Sequence, residues 1–280
     1  MRFGISTHLF HDVPLQREHL ALIAAHGFEA IELFATRSHF DYHDAAAIDR
    51  LAGWLNETGL RLASVHAPIT DSFGAGDRWA PTFSNAYNQR ELREAAVRET
   101  GQALRVAERI PFDVLVVHAG TPSAREATGD NHRGSAVRSL EEIGDLADAR
   151  GVRVAVEVIP NKLSDAAALA SMLDRDLEDR RMGICLDFGH AHLMGDVVDA
   201  IEAASEHIIA THVHDNRGRE DSHLVPGAGT IDWNAALITM QKIGYPGTYL
   251  MELANTSSPD QVLERARTAR QRLERALADS

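Results

Sequence analysis

The 280 residues are 44% hydrophobic and 25% charged, with a formal net charge of −13, which fits a globular protein and works against general binding to nucleic acid or anionic membrane. That balance still leaves room for a local, metal-based phosphate site. No apolar run reaches membrane-spanning length, and Met1-Arg2-Phe3-Gly4-Ile5 lacks the apolar core of a signal peptide. The one cysteine, Cys185, cannot form an internal disulfide and sits in an apolar run. A soluble, reduced, cytoplasmic protein is therefore expected.

Apolar runs alternate with amphipathic Ala/Leu/Glu/Arg-rich segments along the whole chain, the form of repeated βα units, and eight can be counted. The first strand is Arg2–Ser6, with a helix near Leu15–His26 closed by Gly27. The second is Ala30–Phe34, then a helix over Ala45–Thr58 and Gly59. The third, Arg61–Val65, ends at His66; a long loop through Pro68, Gly74, Gly76 and Trp79 leads to a helix near Asn85–Glu108. The fourth, Val114–Val117, ends at His118, before a helix from Arg133 to about Arg150.

Gly151 launches the fifth strand, Val152–Val156, which ends at Glu157, and Ser164 is the expected N-cap of the next helix. The sixth is the run Gly183-Ile184-Cys185-Leu186, which breaks into Asp187-Phe188-Gly189-His190. The seventh, His207–Thr211, ends at His212; a Gly/Arg/Asp-rich loop follows to Ile231, where Asp232 caps a helix to about Ile243. The eighth, Thr248–Met251, ends at Glu252, and a charged helix from Pro259 closes the chain. Strands that read as continuous Val/Ile/Leu runs are buried on both faces, as parallel strands under helices must be. The expectation is an α/β fold, a single-domain (β/α)8 TIM barrel over residues 1–280. A doubly wound sheet is the alternative, but no nucleotide-binding glycine fingerprint follows any strand.

In a barrel the C-terminal strand ends meet on one face. His66, His118, Glu157, Asp187, His212 and Glu252 stand at six successive ends, and three converging carboxylates would repel one another without cations. Imidazole and carboxylate suit zinc, manganese or similar divalent ions. His190 follows Asp187 by three residues, and the seventh loop adds Asp221-Ser222-His223. His214 shares a strand face with His212 and is the other candidate there. Three residues read as structural: His26 and His207 as surface or capping histidines, and Trp233 as packing for its helix.

This order of strand ends, His66, His118, Glu157, Asp187-x-x-His190, His212, Asp221-x-His223 and Glu252, resembles the xylose-isomerase-like TIM-barrel superfamily. That superfamily includes sugar and sugar-phosphate isomerases and epimerases and the endonuclease IV group. The resemblance implies a single-metal site at Glu157, Asp187, His212 and Glu252, as in ketose epimerases. It implies a second position at His66, His118 and the bridging Glu157, and a third at His190, Asp221 and His223, so one to three divalent ions.

On the epimerase side, the resemblance implies that Glu157 and Glu252 exchange a proton with a small carbohydrate through an enediolate, with His190 positioning substrate oxygens. Arg217 could hold a substrate phosphate, although an exposed loop arginine reads equally well. On the other side stands a three-zinc phosphodiesterase acting on abasic DNA. Glu157-Val158-Ile159-Pro160, His212-Val213-His214-Asp215-Asn216 and Pro226–Trp233 look more like the isomerase/epimerase type. Arg37, Arg78, Arg217 and Arg219 on the loops are offset by Asp71, Asp77, Glu220 and Asp221, which disfavours a DNA partner. Lyase-type metal chemistry and a non-enzymatic metal-binding module are more distant alternatives, and a homo-oligomer is compatible with all of them.

Overall fold

In the computed structural model, which describes residues 2–74, 78–79, 82–126, 129–178 and 180–278, eight parallel strands close into a barrel. In chain order the strands are β1 (Arg2–Ser6), β2 (Ala30–Phe34), β3 (Arg61–His66), β4 (Phe73–Gly74), β5 (Arg78–Trp79), β6 (Val114–Val117), β7 (Arg153–Glu157), β8 (Met182–Asp187), β9 (Ile208–Val213) and β10 (Thr248–Met251). β4 and β5 form a small antiparallel pair in the long third loop, outside the barrel. The barrel order is β1-β10-β9-β8-β7-β6-β3-β2, so neighbours in space are neighbours in sequence once that pair is set aside. Gly76 and Asp77 lie outside the described residues, as does the side chain of Arg78.

The helices are α1 (Arg17–Ala25), α2 (Ala45–Thr58), α3 (Arg90–Ala103), α4 (Arg133–Asp148), α5 (Ala166–Asp176), α6 (Phe188–Met194), α7 (Val197–Ala204), α8 (Trp233–Lys242) and α9 (Pro259–Ala278). Short acidic residues start many of them. Asp44, Asp165, Asp187, Asp196 and Asp232 each accept a hydrogen bond from a backbone N–H of the first turn. Gly59 ends α2 at φ 72°, a left-handed conformation that an L side chain resists. No helix among the described residues is long and apolar enough to cross a membrane.

Two local expectations need correction, and one stretch stands without an expected element. The helix before β6 begins at Arg90, not Asn85, because Asn85 turns inward and its amide donates to the His118 carbonyl at 2.8 Å; the stretch Leu104–Glu108 is a 3-10 turn. The cap of α5 is Asp165, since Ser164 is held by the Asn161 side chain at 2.7 Å. After β8 the chain forms two helices, α6 and α7, that are absent from the expected elements, although Val197, Ile201 and Ala204 of α7 stand at the i, i+4, i+7 spacing of a buried helix face.

Most of the core lies between strands and helices, with fully buried Ile31, Leu33, Leu115, Val117, Ile184 and Leu186 on the outer face of the barrel. A separate interior group, Val114, Val116, Ala155 and Cys185, lies within it. Two bulges help to set which side chains turn inward. β3 carries one extra residue, Ala63, against β2, and β9 carries one extra, Ile209, against β8. A bulge shifts the two-residue alternation by one. Arg61 at one end of β3 and His66 at the other, five positions apart, can therefore both turn into the barrel.

Candidate functional site

The C-terminal strand ends bring the nine expected residues into one pocket. The donor atoms fall into three groups, each within 4.8 Å: Glu157 with Asp187, His212 and Glu252; His66 with His118 and Glu157; and His190 with His214, Asp221 and His223. Glu157, Asp187, His212 and Glu252 are at most 4% exposed. Such a set of carboxylates in a dry site demands positive charge nearby.

Each well-held histidine keeps one ring nitrogen on a fixed partner and turns the other into the pocket. His66 donates from Nδ1 to the Ala67 carbonyl at 2.7 Å and puts Nε2 3.1 Å from Glu157. His190 donates from Nδ1 to the Val158 carbonyl at 3.0 Å and faces Asp221 with Nε2 at 3.0 Å. His223 donates to the Glu252 carbonyl at 3.0 Å, leaving Nε2 3.2 Å from Asp221. Fixing the far nitrogen selects the tautomer and aims the near one, the support that metal-ligating histidines ordinarily have.

His212 is the central case. Its Nε2 meets Glu32 at 3.1 Å. Its Nδ1 lies 3.2 Å from Glu157, 3.8 Å from Asp187 and 3.4 Å from Glu252, yet none of these contacts is aligned as a hydrogen bond, so the buried nitrogen is left without one. A buried polar nitrogen surrounded by three carboxylate oxygens and bonded to none of them fits a cation ligand. The donor set present therefore suits a divalent ion.

Asp187 serves both as helix cap and as site carboxylate. One oxygen accepts from the His190 backbone N–H at 2.7 Å, while the carboxylate also meets Nε2 of His214 at 3.0 Å. His214 stacks on His223 with ring centroids 4.0 Å apart. Gly189 makes room for it, since a Cβ there would overlap the His214 ring. His212 and His214 are both in the site, in different donor groups, and so are not the competitors for one position that the strand pattern alone suggests.

Electrostatics follow from this packing. Burial pushes Glu157 upward, but His212 and His118 outweigh it and hold its carboxyl well below the usual range, hence ionised. Burial opposes the charged form of both His190 and His212, yet Asp187, Asp221 and Glu157 around the first, and Cys185 followed by Glu32, Glu157 and Glu252 around the second, hold both well above the ordinary imidazole value. For His223, Asp221 overcomes burial and raises the pKa to about 9. At His118 burial wins, and the pKa falls.

Sequence reasoning misses Glu32. It is fully buried in β2, bonded by Ser6 at 3.2 Å, by Ser64 at 2.8 Å and by His212. A glutamate inside an otherwise apolar buried strand, Ala30-Ile31-Glu32-Leu33-Phe34, is the available signal. Asp215, legible in the sequence only as part of the His212–Asn216 string, has a role that sequence reasoning misses. Its carboxylate takes the backbone N–H of Gly227 and Ile231 and the Trp233 indole N–H, folding the Pro226–Trp233 run over the barrel. Trp233 is buried against Phe188, as expected of a packing residue. His26 hydrogen-bonds the Leu22 carbonyl at the end of α1, and His207 pairs with Asp174 before β9. Arg217 is exposed, and Arg37 is tied to Asp71 and Asp41.

Fold and pocket together define a metal-competent TIM barrel. Residues 20–276 match the family described as xylose isomerase-like TIM barrel, and the chain belongs to it. It is 24% identical over 255 residues to the L-ribulose-5-phosphate 3-epimerase of Escherichia coli O157:H7, covering 89% of this chain and 86% of that one. Among solved structures, a D-tagatose 3-epimerase-like protein superposes with a TM-score of 0.78 at 24% identity, over 99% of this chain and 97% of that one. The IOLI protein, solved with a bound zinc atom, superposes with a TM-score of 0.76 at 18% identity, over 100% of this chain and 99% of that one.

Proposed function

We propose that the protein is a divalent-metal-dependent isomerase or epimerase of a small sugar or sugar phosphate, with Glu157 and Glu252 as its proton-transfer pair. The observation that carries this reading is the grouping of two buried glutamates, from β7 and from the end of β10, around the orphaned Nδ1 of His212 together with Asp187. The epimerase relative and the zinc-bound neighbour support it.

Glu157, Asp187, His212 and Glu252 would hold the ion, and zinc or manganese suits that donor set. When bound, the ion supplies Lewis acidity to carbonyl and hydroxyl oxygens beside it. The remaining work falls to the chain. Glu157, kept ionised by its imidazole neighbours, takes the proton from the carbon next to the substrate carbonyl, and the electron pair passes into the carbonyl to give an enediolate. Glu252, carrying a proton taken up from solvent before the turnover, delivers it to the opposite face, which inverts that carbon, and Glu157 then releases its proton to solvent. The direction is reversible, so either glutamate can begin. His190 is turned into the pocket to orient substrate oxygens.

One observation favours a second reading: the two further donor groups could complete a three-ion site of the phosphodiesterase type. Metal content, solvent-deuterium uptake into a panel of ketoses and their phosphates, and cleavage of abasic-site DNA separate the two readings. We expect deuterium at the carbon next to the carbonyl and no DNA cleavage. Enzymatic DNA cutting without deuterium uptake, lost together with one ion in Asp221→Ala/His223→Ala, would replace the first reading with the second.

A further inference from the structure

The N-terminal mouth of the barrel carries ionisable groups that the proposed chemistry leaves unused. Barrel interiors are ordinarily filled by layers of side chains from alternate strands, mostly Val, Ile and Leu. Here β1, β3 and β7, three alternate staves of the barrel, begin with Arg2, Arg61 and Arg153. All three line a cavity of about 240 Å³ at that mouth, together with Asp113 and Thr248, and its inner end reaches Glu32.

The charges there do not balance. Arg61 donates to Asp113 at 2.6 Å and to the Thr248 hydroxyl at 3.4 Å, and Arg2 donates to the Pro246 carbonyl at 3.2 Å. Arg153 is partly buried, and its guanidinium has no side-chain partner among the described residues. Three guanidiniums thus share the cavity with two carboxylates, Asp113 at the mouth and Glu32 at the inner end, and Glu32 is already bonded to Ser6, Ser64 and His212, in a chain whose net charge is −13. Small residues on the cavity wall, Ala63, Ser64 and Ala210, leave the space unfilled.

We propose that this mouth is a binding site for a small phosphate-type oxyanion, free or as the end group of a small phosphomonoester. Guanidinium forks donate paired hydrogen bonds to tetrahedral oxyanions, and several forks around one cavity add orientation to charge. The volume holds several waters at about 30 Å³ each, enough for one such ion. Arg153 and Glu157 are four residues apart on β7, so the two mouths are separated by roughly 13 Å along the strand.

The test is calorimetric titration of the chelator-stripped protein, so that no ion at the other mouth can hold phosphate. Inorganic phosphate and glycerol 3-phosphate are used separately, in chloride at matched ionic strength. We expect one anion per chain, with affinity reduced about tenfold or more in Arg153→Ala and by less in Arg153→Lys, which keeps charge without the fork. Binding of both probes assigns the site to phosphomonoesters, and binding of inorganic phosphate alone assigns it to the free ion. No binding tighter than about 10 mM in the wild type, or equal affinity in Arg153→Ala, overturns the proposal and leaves the arginines as solvated stems over the barrel floor. Should Arg153→Ala fail to fold, Arg153→Lys decides, because unchanged affinity there overturns it too.

Discussion

The two mouths of this barrel are built from the same strands and carry opposite chemistry. At the C-terminal mouth, three carboxylates and a ring of imidazoles are buried and mutually held, and His66, His190, His212 and His223, four of the six histidines there, have the far nitrogen fixed by a carbonyl or a carboxylate. At the N-terminal mouth, three arginines surround a cavity with Asp113 at its rim and Glu32 at its inner end, and with looser contacts. Strand parity explains how one fold holds both. On β7, Arg153, Ala155 and Glu157 share a face, so a single inward row runs from cation to carboxylate. On β3 that parity fails, and the bulge at Ala63 restores it. The difference teaches that one set of strands can hold a tightly cross-bonded, carboxylate-rich pocket at one end and an open, guanidinium-lined cavity at the other.

The sharpest break between the two ends is expected at Glu157, which His66, His118, His190 and His212 all approach within 3.4 Å. Glu157→Gln removes both a donor and a proton-transfer group, and solvent-deuterium uptake should fall about 10³-fold or more. Metal content measured on the same sample should drop in parallel. Retention of more than about a tenth of the wild-type exchange would mean that Glu157 is structural.

A different kind of dependence belongs to His39, in the loop between β2 and α2. It is 2% exposed, donates from Nδ1 to the Val13 carbonyl at 2.7 Å and leaves Nε2 buried without a partner. Burial lowers its pKa from 6.5 to about 4. The unfolded chain therefore binds this proton more readily than the folded one, and the contribution to stability is complete above pH 6.5 and is lost as pH falls toward 4. The window spans about 3 kcal/mol to order of magnitude. Urea unfolding of wild type and His39→Gln near neutral pH and again in mild acid, just above the lowered pKa, should show a smaller pH loss in the variant, and identical losses would rule the assignment out.

Glu32 should give a smaller effect, through His212 alone. Glu32→Gln keeps the shape and a hydrogen-bond partner for Nε2 but loses the charge, so metal affinity should weaken about 10- to 100-fold while the fold persists. Competition with a chromogenic chelator reads this directly. Affinity in both proteins should also weaken as pH falls below about 9, because His223 must shed its proton to bind an ion and Asp221 raises its pKa to that value. An unchanged affinity in Glu32→Gln would reduce Glu32 to a partner of Ser6 and Ser64.

Much of this is legible in the chain. β1, β2, β6, β10 and α2 match their expected bounds, because continuous apolar runs, Asp caps and closing glycines are local signals. The nine expected pocket residues come together, since a barrel converts strand ends into one pocket whatever the loops do. What escapes depends on contacts between strands. Glu32 has meaning only once Ser6, Ser64 and His212 surround it. The separate donor groups of His212 and His214 depend on where α6 and the Asp221 loop come to lie. The arginine ring is invisible because Arg2, Arg61 and Arg153 are far apart in sequence, and on β3 a bulge sets their common face.

The smallest effect should come from Gly59, which joins α2 to β3 on the N-terminal side of the barrel. Its φ of 72° lies in the left-handed region, and a Cβ added there would meet nothing within 4 Å. Gly59→Ala therefore isolates backbone strain from packing and should destabilise by about 1–2 kcal/mol. In urea the midpoint should fall while the slope stays the same, since the surface exposed on unfolding is unaltered. Deuterium uptake per folded molecule should equal that of the wild type, because Gly59 precedes β3 at the end opposite the carboxylate pocket. Lost stability with intact exchange is the reverse of what Glu157→Gln should show, and the pair of variants would separate the proton-transfer pocket from the turn that closes α2. A fall in exchange for Gly59→Ala comparable to its loss of stability would show instead that the two ends are coupled through β3, whose last residue is His66.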